Sequence, residues 1–343
     1  MSIFDQIKNS DPELKEVRLT EEWSAYCTDI NEMIEALQSN TVIEFIRLDR
    51  DFVPSLEPEA AKGFFKALGS LPALKEAQIW HACIHASILA DLFTSAKLLE
   101  VVKLGCLDLE GDADDFVAVS EALKGHSNLQ SFTMHDFSLS DNAIVVDGLV
   151  ETLATVPNLT SVKLEVSNSR RRSVVGSAAA AEKVVVALSG NALATLCRSP
   201  VLEELYLNRL QLNLDDYAVL AEAIKESPCL KVLSLPHCNL DDEACVSLAE
   251  SIGQSKTLQK IDLSCNKLTD EGCITLASAL KGNESVSFLR LWGNVKISNA
   301  GFDSVREMLE QNCTLERVPL MAPIGYTETR INPNQNQKKA HAA

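Results

Sequence analysis

The chain has 343 residues, 46% hydrophobic and 23% charged, with 48 acidic against 31 basic side chains and a formal net charge of −17. That much apolar material excludes a mostly disordered polymer, and the acid excess argues against nucleic acid or an anionic membrane as main partner, since both attract clustered Lys and Arg. No segment approaches the ~18 uninterrupted apolar residues of a membrane helix, and no basic start followed by an apolar run opens the chain, so a soluble, cytoplasmic protein is expected.

Ten cysteines lie scattered without a C-x-x-C pair. Disulfide frameworks belong to small secreted chains, so these thiols read as reduced core residues. With no histidine cluster beside them, neither a metal site nor a cofactor is expected.

From the N-terminus, residues 1–40 read as a capping repeat, with Trp23 and Tyr26 covering the first unit. A six-residue pattern, apolar at its first, fourth and sixth places, recurs along the chain and makes residues 41–321 the repeat region proper. Copies begin at Leu14, Ile43, Leu74, Leu99, Leu129 and Leu159, at intervals of 25 to 31 residues. Residues 167–190 then interrupt the pattern. Within this insertion Arg170, Arg171 and Arg172 precede Ser173 in the manner of a basophilic-kinase site, against the plainer reading of a solvated basic loop ahead of an Ala-rich helix.

The pattern resumes in its clearest form as Leu202/Leu205/Leu207, Leu230/Leu233/Leu235, Leu258/Ile261/Leu263 and Val286/Leu289/Leu291, stepping by 28 residues, with a last copy at Leu315. The alternation predicts a short strand. Behind each strand, Leu220, Leu248 and Leu276 stand four residues before Ile224, Ile252 and Leu280, which predicts a helix with one buried face. Asn213, Asp241 and Thr269 fall in register just ahead of these helices as N-caps. After Met321 the sequence APIGYTETRINPNQNQKKAHAA is poor in aliphatics, so residues 322–343 are expected to be a disordered tail.

With Cys238 and Asn266 placed two residues before Leu240 and Leu268, the pattern reads L-x-x-L-x-L-x-x-N/C-x-L. It resembles the leucine-rich repeat of the ribonuclease-inhibitor type. The resemblance implies an α/β solenoid, a horseshoe of about 11 repeats with parallel strands on the concave face and helices on the convex face. A narrower resemblance lies in IKNSDPELKEVRL, Ile7 to Leu19, which is similar to the opening of the tropomodulin leucine-rich-repeat domain and so raises actin as a partner.

On such strands the residues between the apolar ones face out. The row between the fourth and sixth places runs Arg18, Arg47, Gln78, Lys103, Thr133, Lys163, Tyr206, Ser234, Asp262 and Arg290; five are basic and one is acidic. In an acidic chain this stripe points to a partner with an acidic surface. The row one place beyond the sixth holds Trp80, His135 and Trp292, and Phe45 and Phe288 flank Arg47 and Arg290. Trp and Arg are the residues that dominate interfaces, so the face is read as binding an acidic, partly apolar protein surface. Asp262 and His135 lack a nucleophile, phosphate loop or metal spacing around them, so no catalytic residue is assigned. The reading is a monomeric, non-enzymatic interaction scaffold, with actin regulation and a GTPase-activating type of regulator as alternatives.

Overall fold

The structure, a computed structural model, describes residues 2–20, 22, 27, 29–49, 52–139, 147–166, 188–321 and 327–331. Trp23, Tyr26 and the insertion with Ser173 lie outside the described residues, as does most of the tail. The chain divides into two compact units, Met1–Val186 and Ala187–Ala343.

In the first unit the elements follow as α1 (Ile3–Lys8), β1 (Glu16–Leu19), α2 (Ile30–Ser39), β2 (Phe45–Leu48), α3 (Pro58–Gly69), β3 (Glu76–Trp80), β4 (Cys83–His85), α4 (Ala86–Ser95), β5 (Val101–Gly105), β6 (Asp108–Glu110), α5 (Ala113–Lys124), β7 (Ser131–Leu139), α6 (Asp147–Leu153) and β8 (Ser161–Val166). β1, β2, β3, β5, β7 and β8 form a parallel ladder in that order. β4 and β6 pair beside it, and β6 joins the far end of β7.

The second unit continues as α7 (Gly190–Cys197), β9 (Glu204–Asn208), α8 (Leu214–Glu226), β10 (Val232–Ser234), α9 (Asp242–Gln254), β11 (Lys260–Asp262), α10 (Asp270–Leu280), β12 (Phe288–Arg290), α11 (Asn299–Gln311), β13 (Arg317–Met321) and β14 (Thr327–Ile331). β9 to β13 are parallel neighbours.

Each ladder strand begins two residues after the first apolar residue of its repeat, as Glu16 follows Leu14 and Phe288 follows Val286. Strand burial alternates, and Leu205, Leu233, Ile261, Leu220, Leu248 and Leu276 are fully buried. The cap residues behave as their chemistry dictates: Asn213, Asp241 and Thr269 accept hydrogen bonds from the main-chain N–H groups of Asp216, Ala244 and Glu271. One expectation is corrected. Residues 327–331, placed in the disordered tail, form β14, antiparallel to β13 over five residue pairs. Thr-Glu-Thr-Arg-Ile carries a β-branched residue at alternate places, and β13 offers an edge that would otherwise leave its main-chain groups unpaired.

Two polar ladders hold successive repeats together. Asn266 donates from Nδ2 to the carbonyls of Leu235 and Leu263 at 2.7 and 3.0 Å and accepts at Oδ1 from the N–H of Cys238 and Leu240. Asn294 repeats the arrangement one unit on. Cys238 holds the same place with a thiol 3.3 Å from the carbonyl of Leu207. The second ladder sits where each helix turns into the next strand. Asn40, Asn283 and Asn312 fill it, each donating to a carbonyl of the preceding repeat and accepting from two N–H groups of the segment that leads into the next strand.

Candidate protein-binding face

Strand alternation leaves one face of each ladder uncovered; nine of the ten predicted contact residues stand on it and Trp292 lies in the turn just past β12, all half-buried or exposed. Phe45, Arg47, Trp80, Lys103, His135 and Lys163 belong to the first unit; Tyr206, Phe288, Arg290 and Trp292 belong to the second. Their rows are in register, Arg47 with Gln78 and Lys103, and Trp80 with Gly105, His135 and Glu165.

In the first unit these rows make a connected cluster around Trp80. The indole ring lies over Gly105, where a Cβ would overlap it. Its Nε1 donates to Gln78 at 3.3 Å, and its ring meets the imidazole of His135 with centroids 6.2 Å apart. The Arg47 guanidinium stands 5.4 Å from the indole centroid, within cation–π range. Arg47 is also clamped by Asp49, with Nε 2.8 and 2.9 Å from the two carboxylate oxygens. On the other side Glu76 accepts from Gln78 at 2.7 Å and from Lys103 at 2.8 Å. Glu165 stands 3.1 Å from His135 and 3.8 Å from Lys163.

This network changes the reading of the basic stripe. Of its five cations, Arg47, Lys103, Lys163 and Arg290 each face a carboxylate of the same sheet face, so the net charge offered by the row is small. Sequence reasoning overlooked Glu76, whose place two residues before Gln78 puts it on the same face by strand alternation. It also passed over Gly105, a missing side chain that makes room for a neighbour's ring.

The second unit presents a sparser face. Tyr206 donates to Glu204 at 3.4 Å, and burial, with the Glu204 charge beside it, raises its phenol above the ordinary value. Trp292 is 38% exposed, and Arg290 reaches Asp262 only at 3.6 Å. At the start of the first ladder, Glu44 binds both Lys15 at 2.9 Å and Lys75 at 2.8 Å; the Lys75 hydrogen bond, with that of Lys15, holds its carboxyl down at about 2.

Cys27, Cys197, Cys238, Cys245 and Cys273 are buried, while Cys313 is exposed. Burial pushes Cys245 and Cys273 up to about 12, and they point at the carbonyls of Gly272 and Gly301. A protonated, enclosed thiol is a poor nucleophile. Among the described residues no group of three or more His, Cys, Asp or Glu side chains is placed to hold a metal, and no helix is long and apolar enough to cross a membrane.

The strand-and-helix repeat with its asparagine ladder is a leucine-rich-repeat arrangement. A family model described as "Leucine Rich repeat" matches residues 226–249 and 254–277. No curated protein matches the chain. Among solved structures it is similar to the leiomodin-1 actin-binding site 2, with 19% identity over 38% of this chain and 76% of that one, TM-score 0.36. The TLR13–ssRNA13 complex aligns with 19% identity over 94% of this chain and 38% of that one, TM-score 0.49. An internalin from Listeria monocytogenes aligns with 12% identity over 95% of this chain and 89% of that one, TM-score 0.43.

Proposed function

We propose that this chain is a non-enzymatic, cytoplasmic scaffold of the ribonuclease-inhibitor type that holds a partner protein, acidic and partly apolar, on the uncovered face of its sheet. The observation that carries the reading is Trp80, a large half-buried aromatic fixed on Gly105 by Arg47, Gln78 and His135. Folding does not need such a residue on an uncovered face, whereas an anchor whose conformation is already set loses little entropy on binding. The charge pairs around it form a polar rim that excludes water without drawing in every anion.

The test is retention of a cytosolic protein by the wild type and by Trp80→Ala/Trp292→Ala, followed by direct binding of the retained protein. Loss in the variant, with circular dichroism unchanged, supports the face; equal retention by both proteins removes it.

The tropomodulin-like opening serves here as an N-terminal cap. Asp11 accepts from Gln6 and from the N–H of Glu13, and Asn40 donates to the carbonyl of Ile7, so the motif's polar residues are engaged in closing the first repeat. Actin filament-end assays with the wild type separate this reading from an actin regulator.

A further inference from the structure

On the second unit's strand β12 the cation is loosely held and stands beside aromatic side chains. Phe288 and Arg290 alternate onto the uncovered face of β12, and Trp292 stands exposed in the turn just beyond it. Arg290 is 46% exposed and lies 3.6 Å from Asp262, with no second acid added, whereas Arg47 has two carboxylate oxygens within 2.9 Å. Lys260, in register with Phe288, is exposed and makes no ion pair among the described residues. Two cations, Lys260 and Arg290, therefore stand beside Phe288 with Asp262 as their one close acid, in a chain whose formal charge is −17.

We infer that β12 is the element that reads an anion: it takes an extended partner segment in which a carboxylate side chain is flanked by apolar ones. The inference rests on the proposed use of the uncovered face. A guanidinium with unused N–H donors accepts a second carboxylate in its fork geometry, and exchanging a loose contact at 3.6 Å for a close one adds little desolvation. Phe288, two residues before Arg290 on the strand, and Trp292, just past its end, supply apolar ground on either side of the guanidinium for the alternate side chains of an extended peptide. The charge argument selects an acidic segment over a basic or neutral one.

The probe is a fluorescein-labelled peptide of alternating leucine and glutamate, with leucine–glutamine and leucine–lysine counterparts, titrated with the full chain and followed by anisotropy. The glutamate peptide binds the wild type roughly tenfold more tightly than the glutamine peptide. Arg290→Gln and the exposed Lys260→Gln each reduce that preference, Arg290→Lys keeps part of it, Trp292→Ala weakens both peptides alike, and Lys62→Gln, on the exposed side of α3, leaves it unchanged. Equal affinity for the two peptides, absence of glutamate-peptide binding, or a preference that survives both charge removals overturns the inference. Partner retention that depends on Trp80 and Trp292 while the glutamate peptide fails to bind sinks this inference and leaves the scaffold reading standing.

Discussion

The indole of Trp80 rests on Gly105 of the neighbouring strand, and the absence of one side chain sets the position of the other. Because the two residues are in register, any Cβ at position 105 meets the ring, which must then rise off the sheet and leave His135 and Arg47. Gly105→Val is therefore expected to red-shift the Trp80 emission and raise its quenching by acrylamide in a Trp23→Phe/Trp292→Phe background. A valine that left both unchanged would show that the ring is not held by the space above Gly105.

The asparagine ladder should dominate stability in the second unit. Asn266→Ala leaves the N–H groups of Cys238 and Leu240 and the carbonyl of Leu235 without their partner in places water does not reach. Each such group costs about 1–3 kcal/mol, so a loss of about 2–4 kcal/mol is expected after local relaxation. Urea unfolding measures it. A loss under about 1 kcal/mol would mean that the ladder is spare.

How much of this was readable in advance follows from which interactions are periodic. The strands, their register and the buried Leu positions repeat every 28 residues in the regular copies, so Leu205, Leu233 and Ile261 were placed from sequence. The helix caps obey a local rule and were placed as well. The ion pairs of Arg47, Lys103 and Lys163 are not periodic: each depends on one acid on a particular strand, and listing one row at a time hid the partner in the next row. The tail strand β14 escaped because only β13 makes Thr327–Ile331 a strand.

A third prediction concerns the strand exits. His81, Cys106, Arg209, His237 and Cys265 occupy one equivalent place in their repeats, all with φ between 55° and 60°, and Gly293 fills it after β12 with φ 82°. Their N–H groups still continue the ladder, as Cys265 donates to the carbonyl of Trp292 at 2.8 Å, so the left-handed turn begins immediately after a strand bond. An ordinary residue there carries a cost of about 1 kcal/mol that glycine avoids, and a β-branched one carries more. Cys265→Val is expected to be less stable than Cys265→Gly by about 1–2 kcal/mol in denaturant unfolding. Equal stability of the two would contradict the left-handed backbone.

The last prediction is a pH dependence built into the second ladder. His126 occupies the place held elsewhere by Asn40, Asn283 and Asn312, fully buried, with Nε2 2.6 Å from the carbonyl of Phe93. Burial lowers its pKa below 6.5; the bond to Phe93 opposes this and the nearby Lys97 charge adds to it. A histidine held below its unfolded value is stabilised as the neutral ring. Its contribution is full above pH 6.5 and is lost as pH falls toward the folded value, because the unfolded chain then takes up the proton more readily. Stability measured from pH 8 to pH 5 should therefore decline in the wild type more than in His126→Asn, which restores the residue the other repeats use and removes the titrating group. The same slope in both proteins would place the acid sensitivity in another group.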